Sequence, residues 1–167
     1  MAIITIRNST VITPPAQGEI AAKKRRDGFA ADAEGAHLII GGLGGFGFET
    51  ACWLAGRGAR HIVLTSRSGT VSEEMQARIA ELEAQGVRVT AAASDVTDAD
   101  SLAALLSDIR AVRPRKGAVH AAMVLDDALI GNLTPEKIGR VLAAKVEGAA
   151  NLDRLTAGGE VDYCLLV

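Results

Sequence analysis

The feature that most restricts this chain is a run of five glycines within the seven residues from Gly41 to Gly47, set between the apolar segment "HLII" and a periodic apolar stretch that ends at Gly56. An apolar strand that empties into glycine and then into a helix is suited to binding phosphate. Without Cβ atoms in the way, backbone N–H groups of the turn and of the helix N-terminus can meet anionic oxygens directly. Gly42, Gly44 and Gly47 fit G-x-G-x-x-G, and Gly41, Gly45 and Gly47 fit G-x-x-x-G-x-G equally well. Either spacing alone also suits close packing, but with a strand before it and a helix after it the turn reads as dinucleotide-binding.

The rest of the chain repeats this strand-and-helix rhythm. Strands are expected at 37–41, 61–65, 87–92, 118–124 and 161–167. The helices between them are expected over 45–56, from a capping box at Thr70 and Glu73 to Gln85, from Thr97 to a point before Pro114, and from Thr134, with Pro135 at its first position, to about Thr156. Five strands joined by helices predict a parallel, doubly wound α/β sheet of the Rossmann type. Residues 1–35 read as an isolated strand, "AIITIR", followed by a polar linker with Pro14, Pro15 and the basic run from Lys23 to Arg26. Residues 36–167 form the expected domain.

Composition excludes several classes. The chain has 167 residues, 49% of them apolar, and a formal net charge of −2, so it can bury a core and offers no broad basic face to nucleic acid or anionic lipid. Cys52 and Cys164 are far apart, lack metal-ligand spacing and read as core thiols of a cytoplasmic protein. The N-terminus has the wrong order for a secretory signal, and the longest apolar run is broken by glycines and Glu49, so neither export nor a membrane span is expected.

Two further sites carry chemistry. An NAD site wants an acidic residue after the second strand, whereas this chain has Ser66, Arg67 and Ser68, donors and a positive charge suited to a ribose 2′-phosphate. NADPH is therefore favoured, with an ordinary solvated arginine as the alternative reading of Arg67. Lys145 falls inside an apolar helical stripe through Ile138, Val141, Leu142, Ala149, Leu152 and Leu155, opposite Glu136, Arg140, Glu147 and Arg154. A lysine facing the sheet needs a partner or a purpose, such as steadying a cofactor ribose and easing a proton transfer; snorkelling along the helix edge is the alternative.

The segments "GGLGGFG", "LTSRSG", "SDVTDADSL", "HAAMVLDDALIGNLTPEK" and "VLAAKVEGAANLDRLT" closely resemble the ketoreductase domain of type I modular polyketide synthases and animal-type fatty acid synthases, from about Ala36 to Val167. In that family, part of the short-chain dehydrogenase/reductase superfamily, a hydride passes from NADPH to a β-ketoacyl thioester on an acyl carrier protein, giving a β-hydroxyacyl product. The resemblance implies a glycine turn at Gly41, Gly44, Gly45, Phe46 and Gly47, a 2′-phosphate contact at Ser66 and Arg67, an adenine contact at Asp95 and Val96, further cofactor contacts at Ala121 and Ala122, and Lys145 as the active-site lysine. Leu125, Asp126 and Asp127 resemble the marker of B-type reductases, which sets one hydroxyl configuration; the alternative is that these acids merely start a short helix. No metal is implied.

The chain departs from the family in two ways. Ile40 stands where the family usually has a threonine bracing the glycine turn. The family's catalytic Ser, Tyr and Asn have no counterparts here, and the only tyrosine, Tyr163, lies in the last expected strand. Two readings follow: the cofactor-binding part of a ketoreductase within a larger synthase, or a catalytically silent nucleotide-binding or interaction remnant. The strand at 161–167 is also expected to lie bare at the sheet edge, making the isolated chain prone to self-association.

Overall fold

The structure, a computed structural model, describes residues 3–5, 28–158 and 161–167. The basic run and most of the expected linker lie outside the described residues. Six strands, β1 (Ile3–Thr5), β2 (Ala36–Ile40), β3 (His61–Ser66), β4 (Arg88–Ala93), β5 (Arg115–His120) and β6 (Tyr163–Leu166), form one sheet in the order β1-β6-β5-β2-β3-β4. The five from β2 to β6 are mutually parallel, as the doubly wound fold requires. From β2 the chain winds outward through β3 and β4, then returns to the other side of β2 with β5 and β6. The point of reversal lies between β2 and β5, where open α/β sheets bind their ligands.

Strand alternation assigns the two cores. Ile39, Ile62, Leu64 and Val119 face α1 (Gly45–Gly56) and α2 (Glu73–Ala84), packing with Phe48, Ala51, Leu54 and Leu82. Leu38, Ile40, Val63 and Ala118 face the opposite layer, packing with Leu102, Leu106 and Ile109 of α3 (Ala99–Val112) and with Leu152. Helix starts follow local chemistry. Asp98 caps α3 by accepting from Asp100 and Ser101 N–H, and Thr134 caps α4 (Pro135–Leu142) by accepting from Lys137 N–H. The cap of α2 differs from expectation: Ser72, not Thr70, accepts from Met75 N–H, because the loop first turns through Gly69 at φ 65°.

Two expectations are corrected. The edge of β6 is not bare, since β1 pairs with it antiparallel through Ile3–Leu166, Ile4–Leu165 and Thr5–Cys164. A short β-prone segment far away in sequence takes up the exposed ladder, which no local pattern could reveal. The Lys145 helix is also not one regular helix. It runs as α4, a π-turn at Ala143–Glu147, and α5 (Gly148–Thr156). The wide turn rotates the face, so the buried row is Ala144, Gly148, Leu152 and Thr156. Ile138 and Leu142 of the expected stripe are instead exposed, and Lys145 is half-buried beside the row.

Cys52 and Cys164 are half-buried thiols. Among the described residues, no helix is long and apolar enough to cross a membrane, and no cluster of metal-ligating side chains occurs.

Candidate functional site

A cleft of about 650 Å³ opens along the C-terminal ends of β2, β3, β4 and β5, a size ordinary for a cofactor site. Its floor is the glycine turn. Gly41 sits at φ +79°, and a Cβ there would meet backbone N of Ala122 at 2.6 Å and C of Ala121 at 2.8 Å. A side chain at Gly47 would collide with the carbonyl of Gly41. These two positions let the turn, β5 and α1 approach closely. Helix α1 then starts at Gly45 with no side-chain cap, and nothing lies within 4 Å of the Cβ that Gly45 lacks. Open space in front of an uncapped helix N-terminus suits an anionic group.

All the expected cofactor residues, Gly41, Gly44, Gly45, Phe46, Gly47, Ser66, Arg67, Asp95, Val96, Ala121 and Ala122, line this one cleft. They come from four separate strand ends, which explains why they are scattered in sequence. Ser66 closes the turn after β3 by accepting from Gly69 N–H at 3.0 Å. No carboxylate stands among the β3-end residues from Ser66 to Thr70 that follow the strand, and Arg67 lines the wall there. Asp95 accepts from Thr97 N–H at 2.9 Å and from its hydroxyl at 2.8 Å, bonds that hold its carboxyl below the usual range. Asn151 of α5 donates to the carbonyls of Val96 and Thr97, fixing this loop against the helix.

Lys145 and Leu125–Asp127 do not line the cleft. Lys145 Nζ donates to the carbonyl of Val167, just past β6, and partial burial lowers its pKa. Asp126 is tied to α4, accepting from Arg140 at 2.6 Å and lying 3.7 Å from Lys137 Nζ. The acids do not start a helix: the next turn is the short Ile130–Asn132 segment, which lacks a side-chain cap. Tyr163 is equally remote from the cleft, its hydroxyl 2.8 Å from His37 Nδ1 beneath the sheet. His37 Nε2 meets the carbonyl of Asp32 at 2.8 Å, so Nε2 carries the proton and Tyr163 donates to Nδ1.

Several wall residues were not among the expected site residues. Thr65 lies fully buried behind the wall, its Oγ1 without a hydrogen-bond partner among the described residues. Ser94, Thr97, Thr70 and Arg140 add further polar groups. Thr65 and Ser94 close strands that read as apolar runs, and Arg140 reads as a solvent-facing helix residue. It remains largely exposed and reaches the cleft's rim while bound to Asp126.

The comparisons agree with this architecture. The KR domain family model matches residues 35–167. The chain is 38% identical over 144 residues to "Highly-reducing polyketide synthase 1" of Aureobasidium melanogenum, covering 86% of this chain and 6% of that protein. It is 43% identical over 137 residues to "Polyketide synthase GfsA" of Streptomyces halstedii, covering 81% and 2%. Among solved structures, A-type ketoreductases from a modular polyketide synthase superpose with a TM-score of 0.72 at 38% identity, covering 89% of this chain and 30% of that one. The first ketoreductase of the tylosin synthase superposes at 0.66 and 41% identity, covering 78% and 28%. The chain thus spans a small part of each curated relative and under a third of each of these structures. A match over nearly all of the chain from Gly35 onward, on a doubly wound sheet whose strand ends form one cleft, establishes that it belongs to the KR domain family, the ketoreductase domains of polyketide synthases.

Proposed function

We propose that this chain is the cofactor-binding part of a ketoreductase that uses NADPH to reduce a β-ketoacyl thioester, carried on an acyl carrier protein, to the β-hydroxyacyl product. The observation that carries the cofactor choice is Arg67 at the end of β3, with no carboxylate in the segment from Ser66 to Thr70 that follows the strand and the glycine turn on the neighbouring strand. A carboxylate there would accept from a ribose 2′-hydroxyl and repel a 2′-phosphate; an arginine does the reverse. The glycine turn and the N-terminus of α1 would hold the pyrophosphate, Asp95 and Val96 the adenine side, and Ala121 and Ala122 the floor beyond the turn. Bound NADPH supplies the hydride. The chain's own residues orient that group.

Lys145 is the residue proposed to act at the reacting end. Its lowered pKa and its contact at the end of β6 suit an ammonium that steadies a ribose hydroxyl and a proton donor. Leu125, Asp126 and Asp127 support a B-type configuration, with Asp126 anchoring the loop to α4. The second reading, a catalytically silent nucleotide-binding remnant, is favoured by one observation: Tyr163, the chain's only tyrosine, is bound to His37 away from the cleft.

Titrating the chain with NADPH and NADH tests the proposal. NADPH is expected to bind more tightly, by a margin that shrinks with added salt and disappears in Arg67→Ala. Equal affinity for the two cofactors in the unmodified chain would overturn the cofactor assignment.

A further inference from the structure

We propose that His120, the last residue of β5, is a positioning residue that sets the orientation of Lys145 by holding the π-turn in register; this rests on the reading of Lys145 as the active-site lysine. A π-turn within an α-helix is rare and needs something to hold it, because the wider loop leaves backbone groups without their usual partners. Here the N–H of Gly148 donates to the carbonyls of Ala143 and Lys145 and passes over Ala144, its partner in a regular α-helix. The carbonyl of Ala144 is met instead from the sheet, by His120 Nε2 at 2.8 Å.

The ring's state follows from its partners. A carbonyl only accepts, so Nε2 carries the proton. Nδ1 has no hydrogen-bond partner among the described residues, so the ring's described side-chain bond is the one to the π-turn. His120 is 1% exposed, and burial lowers its pKa and keeps it neutral. Gly148 gives the ring its room: a Cβ there would stand 2.8 Å from Nε2 and 2.7 Å from Val96 Cγ1.

His120 also holds the other end of the lysine's contact. Its carbonyl accepts from Val167 N–H at 3.1 Å, and the carbonyl of Val167 receives Lys145 Nζ. One residue therefore fixes both the turn from which Lys145 springs and the strand end that its ammonium meets. Only the first link runs through the imidazole, so a side-chain substitution separates it from the backbone link.

The test uses the full chain labelled with lysine-ε-¹³C, the Lys145 signal being assigned by its loss in Lys145→Arg. Three variants are compared: His120→Phe keeps the ring's bulk without the donor, His120→Gln places an amide N–H where Nε2 was, and His120→Asn is too short to reach. In the unmodified chain and in His120→Gln, Lys145 is expected to titrate below the ordinary lysine value. In His120→Phe and His120→Asn its titration should move up to that value, and NADPH affinity should fall about tenfold, the loss of one buried hydrogen bond. A merely structural histidine would lower the melting temperature and leave the Lys145 signal in place. An unchanged Lys145 titration in whichever of the Phe and Asn variants folds would overturn the proposal, as would a Gln variant that behaves like Phe. Failure of the unmodified chain to bind NADPH would count against the proposed function alone, since the lysine signal is read without cofactor.

Discussion

Replacing Gly41 by alanine tests the geometry of the glycine turn most directly. Two independent costs are visible. At φ +79° the backbone is left-handed, which a residue with a Cβ adopts at about 1–2 kcal/mol. The new Cβ would also stand 2.6 Å from the N and 2.7 Å from the Cα of Ala122. These are backbone atoms of the neighbouring chain segment and cannot rotate away, so β2 and the end of β5 must separate, at about 1–3 kcal/mol. Together they predict a loss of about 2–5 kcal/mol, or a melting temperature lower by about 5–15 °C for a chain of this size. The control is Gly45→Ala, where the space is open for 4 Å and φ is not positive. That variant should melt within a few degrees of the unmodified chain yet bind NADPH more weakly, because its methyl occupies the cradle in front of α1. Thermal and urea melts with a cofactor titration on both variants decide the matter. Equal melting of Gly41→Ala and the unmodified chain would refute the steric argument, and equal destabilisation by both alanines would show that the turn is merely intolerant of substitution.

Other outcomes follow from single features. Leu152→Ala removes a fully buried side chain that joins α5 to the second core, and urea melts should show a loss of about 2–5 kcal/mol. Acidification should destabilise the fold below about pH 6.5, because burial lowers the pKa of both His37 and His120. Between the lowered values and 6.5 the unfolded chain binds more protons than the folded one, so stability falls with pH, by at most about 1.4 kcal/mol per pH unit for each histidine. A stability profile flat between pH 7 and 5 would contradict this. Residues 1–167 alone should not oxidise NADPH in the presence of a β-keto thioester, because Tyr163 is held by His37 outside the cleft. Turnover above the buffer rate that is lost in Lys145→Ala would show that another group donates the proton.

The sequence by itself determined the elements whose causes are local. A glycine run between a strand and a helix, a proline after Thr134, and the start at Thr97 with its following acids and Pro114 beyond act over a few residues; they located α1, α3 and the start of α4 closely, although the cap of α3 is Asp98. The convergence of the cleft's lining was legible in part: the resemblance named Asp95 and Ala121 beside the glycine turn and Ser66, and in a parallel sheet the C-terminal strand ends all face one side, so these residues meet in one cleft. Tertiary structure alone decided what depends on distant partners. Ile3–Thr5 covers the β6 edge because an unpaired ladder accepts any β-prone segment within reach, whatever its place in the chain. The regular 3.6-residue period assumed for residues 134–156 failed in the π-turn at Ala143–Glu147, where the carbonyl of Ala144 is met by His120 from the sheet, and the extra width shifted the buried face from Ile138 and Leu142 to Ala144 and Gly148. Periodicity describes a helix that bonds only to itself; once an imidazole across the core competes for one of its carbonyls, the face that Lys145 presents is set by that contact and not by the spacing of its neighbours.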